Sequence, residues 1–90
     1  MYKLIITETY QKRAKKFFKK QPRLLSQYLK ILKILCINPD HPSLRKHKLT
    51  GKYAGLFSIS INISYRLIIE FIIRDKQIIP VNIGSHDEVY

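Results

Sequence analysis

The spacing of apolar residues changes near the middle of the chain, from a helical period to strict alternation. Between residues 10 and 20, the apolar positions within a lysine-rich stretch are Ala14, Phe17 and Phe18. Their separation by three or four residues predicts a helix with one apolar face. A second helix is predicted from Pro22, which suits a first helical turn, to about Ile37. Residues 38–42 contain two prolines and end that helix.

The second half of the chain has the pattern of β-strands. Residues 56–63 alternate between apolar and polar side chains, which is typical of a half-buried strand. The predicted strands are residues 2–6, 56–63, 65–73 and 78–83. A tight turn is predicted at residues 74–76, and Pro80 indicates a bulge or an edge position in the last strand. Residues 86–90 are expected to form a tail.

The predicted elements follow the order β-α-α-β-β-β, with no linker or repeat that divides the chain. We therefore expect a single domain over residues 1–90 with a two-layer α+β fold. In this fold the N-terminal strand and a helical hairpin pack on one face of an antiparallel β-sheet. The central strand of the last three is expected to lie between the other two, which brings residues at their ends together.

Basic residues are concentrated in the first half. Residues 1–52 contain fourteen Lys and Arg against two Asp and Glu, a net charge of +12. Residues 53–90 contain three basic and four acidic residues, a net charge of −1. This asymmetry predicts one positive surface that attracts polyanions. The partners left open are nucleic acid, an anionic membrane surface and an acidic protein, beside a surface that only favours solubility.

The sequence carries no sign of a membrane segment or a leader. No apolar run approaches the ~20 residues that cross a bilayer, and the N-terminus lacks a long apolar region before a cleavage site. Cys36 is the only cysteine, which excludes an internal disulfide and fits a small buried apolar residue. We therefore expect a cytoplasmic protein that does not act at a membrane.

Common motifs of metal and cofactor enzymes are absent. There is no glycine-rich phosphate loop, no cysteine pair for zinc and no His-Glu-x-x-His, so neither a cofactor nor a metal site is predicted. Six Asp and Glu residues are too few for the carboxylate cluster of a Mg²⁺-dependent nuclease. Any catalysis is expected to rest on His, Tyr, Arg and Lys.

Four residues near the predicted strand ends form a set suited to such chemistry: His47, Arg66, His86 and Tyr90. RNA is cleaved without metal when a base takes the 2′-hydroxyl proton, an acid protonates the leaving 5′-oxygen and cations stabilise the phosphate. Histidine suits both proton transfers because it titrates near neutral pH, and arginine suits the phosphate. The same residues also admit ordinary roles as surface histidines, a tyrosine packed on the sheet, and an ion pair of Arg66 with Asp87 or Glu88.

Three segments in the second half resemble the RelE/ParE superfamily of bacterial toxins. Residues 47–55 are similar to the family's segment "His or Lys, x, Leu, x, Gly" and the aromatic-x-Gly step that follows it. Residues 65–68 match its Tyr-Arg-Leu-Ile strand, and residues 83–90 resemble its closing Ile-Gly-Thr-His-x-x-Val-Tyr. The chain looks most like the YafQ-type mRNA interferases of type II toxin–antitoxin systems, and the resemblance covers nearly its whole length.

The resemblance implies a metal-independent endoribonuclease toxin that cleaves mRNA on the ribosome and so blocks translation. It implies His47 as the base, His86 as the acid and Arg66 as the clamp on the scissile phosphate. Tyr90 is implied to stack on or orient an mRNA base. The implied RNA-binding residues are Lys46, Lys48, Lys52 and Tyr65. It also implies a cognate antitoxin that binds the toxin in a hetero-oligomer and inhibits it.

The chain departs from the YafQ-like pattern at three positions. Those members usually carry a further His and an Asp where this chain has Ser60 and Ser64, and a Trp in place of Tyr65. The same fold also serves toxins that target gyrase and cut no RNA. Those typically lack the closing His and Tyr, which favours the nuclease interpretation here. A gyrase-targeting toxin and a non-catalytic RNA-binding module are the alternatives.

Overall fold

A computed structural model describes residues 1–90, which form three α-helices and five β-strands. The helices are α1 (Glu8–Lys20), α2 (Leu25–Ile37) and α3 (His86–Val89). The strands are β1 (Lys3–Leu4), β2 (His47–Lys48), β3 (Phe57–Ser60), β4 (Tyr65–Ile72) and β5 (Gln77–Ser85). None of the helices is both long enough and apolar enough to cross a membrane.

The five strands form one mixed sheet in the order β1-β5-β4-β3-β2. The predicted two-layer α+β fold is confirmed, with β4 between β3 and β5 and all three antiparallel. Two features differ from the expected antiparallel sheet. β1 pairs with β5 in parallel, and the helical hairpin returns the chain to the end of the sheet where β1 begins, since the Tyr2 amide donates a hydrogen bond to the Cys36 carbonyl at 2.8 Å. The two-residue β2 adds a fifth strand beside β3.

Helix α2 begins at Leu25, three residues later than predicted, because Pro22–Leu24 form a 3-10 turn. Thr7 is the N-cap of α1, since its hydroxyl accepts a hydrogen bond from the Tyr10 amide at 3.1 Å. The Oη atoms of Tyr10 and Tyr28 lie 2.8 Å apart and hydrogen-bond α1 to α2 inside the core. Burial raises the pKa of both phenols, so both stay protonated and each can donate or accept in this contact.

The hydrophobic core lies between the helix pair and one face of the sheet. It includes Tyr10 and Phe17 of α1, together with Ile31 and Leu35 of α2. The residues that the sheet and the preceding loop contribute to it are Leu44, Ile59, Ile61, Leu67, Ile69, Ile78 and Ile83. Since side chains alternate along a strand, the residues between these positions point to the opposite surface of the sheet, which we call the open face.

A β-bulge interrupts the pairing of β4 with β5, as Pro80 indicated. Ile68 pairs with Asn82 whereas Ile69 pairs with Pro80, so Val81 is an extra residue on β5. Proline has no amide hydrogen to offer the neighbouring edge. The Arg13 guanidinium donates a hydrogen bond to the Val81 carbonyl at 3.0 Å. The outer edge of β5 beyond the short β1 is therefore partly occupied by a side chain of α1.

The expectation of a C-terminal tail is wrong, because residues 86–89 form α3. Ser85 and Glu88 make a reciprocal capping box, in which each side chain binds the backbone amide of the other. Hydrogen bonding from the Ser85 amide lowers the pKa of the Glu88 carboxyl. This stabilising contribution is present when Glu88 is ionised and is lost as the pH falls through that lowered pKa.

Helix α3 folds back over the open face of the sheet. A Cβ atom placed on Gly84 would lie 3.2 Å from Glu88 Cβ and 3.3 Å from Val89 Cγ1. Gly84 stands opposite Arg66 of β4, so its missing side chain makes room for α3 beside Arg66. Val89 is buried, and so are Ile68 and Ser58 of the same face. The sheet therefore carries a small second layer at this point.

Candidate active site

Arg66 occupies the centre of the open face. It is half-buried on β4, opposite Ser60 of β3 on one side and Gly84 of β5 on the other. The ion pair considered for it with Asp87 or Glu88 does not form. The three ion pairs of the chain are Lys12–Glu8, Lys46–Asp40 and His86–Asp87. The Arg66 guanidinium is therefore available to an anion from outside the chain.

His47 lies on the same face as Arg66, one strand beyond β3. It stands opposite Ser58 in the β2–β3 register, and Ser58 is two residues from Ser60, the partner of Arg66. Strand geometry then places the Cα atoms of His47 and Arg66 about 12 Å apart. His47 is exposed. Two side chains of this length span that gap with one phosphate group between them.

His86 and Tyr90 reach the open face through α3. His86 is the first residue of α3, only two positions after Gly84, so its Cα lies within about 13 Å of that of Arg66. Its ring lies edge-on against the Tyr90 ring with centroids 4.4 Å apart, and Nδ1 is 3.7 Å from an Asp87 carboxylate oxygen. The His86 side chain is 67% exposed, which leaves it accessible to a substrate.

Tyr90 is held against the protein rather than displayed on its surface. Its ring contacts Tyr53 as well as His86, with a centroid distance of 6.4 Å to Tyr53. Its hydroxyl is buried and has no hydrogen-bond partner within the chain, as is also true of the Ser58 hydroxyl on the same face. In this arrangement Tyr90 restricts the orientation of the His86 ring.

The structure brings together His47, Arg66, His86 and Tyr90, but separates three of the expected RNA-binding residues from them. Lys46 points to the helix side of the sheet, where its ammonium lies 2.6 Å from Asp40 and 5.0 Å from the Phe71 ring centroid. The other two are Lys48, which stands opposite the core-packed Phe57 in the register, and Tyr65, whose ring packs 5.3 Å from Phe17. Lys52 stays near the site, since its ammonium lies 5.1 Å from the Tyr53 ring.

Two contributors to this face were not among the predicted site residues. Arg45 lines a cleft of about 250 Å³ beside Arg66, and Tyr53 packs on Tyr90. Arg45 belongs to the basic run before β2, but sequence alone does not distinguish its direction from that of Lys46. Tyr53 belongs to the aromatic-x-Gly step of the family pattern, for which the sequence indicates no role in the site. Nowhere do three His, Cys, Asp or Glu side chains converge as a possible metal-binding group.

Comparisons with known proteins identify the fold. No protein-family model matches the chain, and no curated protein matches its sequence. Among solved structures, YafQ from Escherichia coli BL21(DE3) superposes with a TM-score of 0.81 at 15% identity, covering 100% of this chain and 99% of that one. A YoeB/ParE toxin from Agrobacterium tumefaciens gives 0.77 at 15% identity, with 93% and 98% covered.

A third similar structure contains a toxin together with its antitoxin. This is the RelBE2 toxin–antitoxin complex from Mycobacterium tuberculosis, with a TM-score of 0.67, 20% identity, and coverage of 94% of this chain and 98% of that one. The three structures are all toxins or toxin complexes, and each spans nearly the whole chain. The chain has the fold of the RelE/ParE toxin superfamily, in its YafQ-like form.

Proposed function

We propose that this protein is the toxin of a type II toxin–antitoxin module and acts as a metal-independent endoribonuclease that cleaves mRNA on the ribosome. One observation carries the proposal. His47 belongs to β2, which lies on the β3 side of Arg66, and His86 begins α3 directly after β5, which is the strand on the other side of Arg66. Two imidazoles flanking an unpaired guanidinium match the needs of RNA cleavage by acid–base catalysis.

The reaction requires two proton transfers and one phosphate contact. His47 removes the proton of the 2′-hydroxyl, whose oxygen attacks the adjacent phosphorus. The bond from phosphorus to the 5′-oxygen breaks, and His86 donates a proton to that leaving oxygen. The products are a 2′,3′-cyclic phosphate and a 5′-hydroxyl. Arg66 stabilises the negative charge that builds up on the non-bridging oxygens, and each proton transfer contributes typically 10²–10⁴ in rate.

The surface charge supports a nucleic-acid substrate held in a large assembly. The exposed cations of α1 are Lys12, Arg13, Lys15, Lys16, Lys19 and Lys20. They lie on the helix layer, on the opposite side of the sheet from His47 and Arg66. A single short RNA does not cover both surfaces, whereas a ribosome presents mRNA to one and ribosomal RNA to the other. This placement favours the ribosome-dependent form of the reaction.

Primer extension on a reporter mRNA tests the proposal directly. Incubation with this protein and programmed ribosomes is expected to produce cuts at fixed positions within codons, and mRNA without ribosomes is expected to stay intact. Cuts in free mRNA would overturn the ribosome requirement while keeping the nuclease. An absence of cuts under both conditions would overturn the nuclease and direct the next assay to DNA supercoiling by gyrase.

An apolar groove on the helix layer supports the antitoxin as a partner. It has a volume of about 420 Å³ between α2 and β1, and its lining residues are Met1, Leu4, Leu29, Leu32, Lys33, Cys36 and Ile37. Leu29 and Ile37 are 51% and 69% exposed, an unusual concentration of apolar surface. Lys30 and Lys33 border its extension along α2, and no acidic residue lines it. An amphipathic antitoxin helix with an acidic rim complements this surface.

Replacing Leu29 with aspartate is expected to weaken antitoxin binding by at least about tenfold, since a buried leucine contributes ~1.5–3 kcal/mol. The proposed antitoxin, sought in the reading frame next to the one for this protein, is titrated by calorimetry against the wild type and the variant. Ile73→Asp, at an exposed isoleucine in the turn before β5, is the matched control. Unchanged affinity for Leu29→Asp would contradict the groove, as would a toxin dimer that this variant dissociates, because a second copy would then occupy it.

A further inference from the structure

The open face has a polar cleft beside Arg66, on the side of β3. It has a volume of about 250 Å³, and its lining residues are Ser43, Arg45, Ser60, Ile61, Asn62, Ile63 and Arg66. His86 follows Gly84, so it lies on the β5 side of Arg66. The cleft therefore extends from Arg66 away from His86 and toward β2, where Arg45 precedes His47 by two residues.

The charge of this cleft is not compensated within the chain. Neither Arg45 nor Arg66 forms an ion pair, and no Asp or Glu lines the cleft. Asp40, an acidic residue of the same loop, is held by Lys46 at 2.6 Å. Two guanidinium groups that face one cleft repel each other unless an anion lies between them. Arginine is also the side chain best suited to phosphate, because its fork of donors matches the phosphate oxygens.

The backbone is bent in a way that directs Arg45 toward this side. Arg45 has φ 47° and ψ 46°, and its amide donates to the Pro42 carbonyl at 3.2 Å. Left-handed backbone is uncommon for residues other than Gly, Asn and Asp. The next residue, Lys46, turns to the helix side, whereas His47 lies on the open face. The bend thus separates two adjacent cations and assigns only Arg45 to the cleft.

Asn62 supplies a hydrogen-bond donor at the same place. Its Oδ1 accepts hydrogen bonds from the amides of Ser64 and Tyr65, both at 2.9 Å. With the oxygen used in this way, the orientation of the amide group is determined and its NH₂ is left to donate. The cleft therefore combines two cations with a fixed neutral donor, which is a donor set for a phosphodiester.

We propose that this cleft binds a second RNA backbone phosphate, the one immediately 5′ of the nucleotide whose 2′-hydroxyl attacks. Arg45 and Asn62 contact this phosphate, and Arg66 lies between it and the scissile one. The identity of the ligand as RNA and its 5′ position rest on the proposed function, in which His47 acts on the 2′-hydroxyl and His86 on the leaving oxygen. The presence of an anion site at Arg45 does not depend on cleavage.

The test measures binding separately from chemistry. The probe is a short 2′-O-methyl RNA, which cannot be cleaved, titrated by fluorescence anisotropy over a series of salt concentrations. Arg45→Asn is expected to weaken binding about tenfold, as loss of a charge-assisted hydrogen bond does. The slope of the logarithm of the binding constant against the logarithm of the salt concentration is expected to become ~0.7 less steep, because one phosphate contact is lost. A probe with a neutral methylphosphonate at the 5′ phosphate is expected to bind the wild type and the variant equally.

The chain offers a close control for the backbone conformation. Lys76 is the other non-glycine residue with positive φ, at 52°, and it is an exposed cation in the turn before β5. Asparagine tolerates this conformation at both positions, so Lys76→Asn removes one charge with the same backbone change. Equal affinities for the two variants would overturn the cleft as a phosphate site. Weakened binding by Arg45→Asn in a protein that cuts no mRNA would keep the anion site and reject only the nuclease.

Discussion

Replacing His86 with glutamine is expected to lower the rate of mRNA cleavage by about 10²–10⁴, the usual contribution of one general acid. Glutamine keeps a polar side chain of similar length but does not carry a proton that titrates near neutral pH. The His86 side chain is largely exposed and lies outside the core, so the fold should be retained. The measurement is the cleavage rate on programmed ribosomes as a function of pH.

The pH profile separates loss of an acid from loss of a contact. If His86 is the general acid, His86→Gln should change the shape of the pH dependence of the rate, whereas loss of a contact alone lowers the rate by the same factor at every pH. His41→Asn is the control, because His41 lies in an exposed loop where its Nδ1 accepts from the Ser43 amide at 3.1 Å. Wild-type rates in His86→Gln, or an equal loss in His41→Asn, would remove His86 from the mechanism.

The part of the fold that follows from local patterns was predictable from the sequence. The spacing of Phe17 and Phe18 and the prolines after Ile37 identify the two long helices. The alternation that begins at Leu56 identifies the central strands, although β3 ends at Ser60 because Asn62 closes the following turn. These features depend on residues that are near each other in the chain, and such patterns are informative at that range.

The sequence carries a signal for helix α3, although its last five residues predict a tail. The motif Ser85-x-x-Glu88 is that of a capping box, and it does cap a helix. The helix is only four residues long, so its own stability is small and its position depends on Val89 packing over Gly84. When the packing of Val89 is not known, a capping-box motif with only two residues after it does not distinguish a short helix from an irregular tail.

The direction of individual cations in the run before β2 could not be predicted. Arg45, Lys46 and His47 are consecutive, and composition treats the first two alike. Lys46 turns to the helix side because Asp40 and the Phe57 and Phe71 rings lie there. Arg45 turns to the open face because its backbone is left-handed. The first cause depends on rings that other strands bring to this place, and the residue types of the run do not indicate the second. A basic run in the sequence therefore marks a candidate region and leaves the functional residue undetermined.

Under the proposed function, RNA cleavage and antitoxin binding take place on two different surfaces. The residues of the proposed chemistry lie on the open face, and the apolar groove lies on the helix layer between α2 and β1. An antitoxin helix seated in that groove does not by itself cover Arg66. Inhibition would therefore require a further antitoxin segment that reaches the open face, and the short helix α3 is the element it would meet there.

Replacing Arg66 with glutamine is expected to reduce the cleavage rate by about 10²–10³, the usual effect of removing one group that stabilises the transition state. The half-buried guanidinium makes no ion pair within the chain. Its removal therefore leaves no acidic residue without its counter-ion, and the melting temperature should change little. The cleavage rate of Arg66→Lys should fall between those of the wild type and Arg66→Gln. Lysine keeps the positive charge but lacks the planar guanidinium that binds two phosphate oxygens at once. Single-turnover cleavage of ribosome-bound mRNA measures the chemical step.

A matched variant distinguishes the clamp from a general loss of positive charge. Arg74 lies just beyond the other end of β4, exposed in the turn before β5, so Arg74→Gln removes one charge far from the site. If Arg66 stabilises the transition state, Arg66→Gln lowers the single-turnover rate at saturating toxin while Arg74→Gln does not. A loss in Arg66→Gln that saturating toxin restores would make Arg66 a binding residue only. Equal rates for both variants would leave the two histidines without a phosphate partner, and the mechanism built on this face would have to be abandoned.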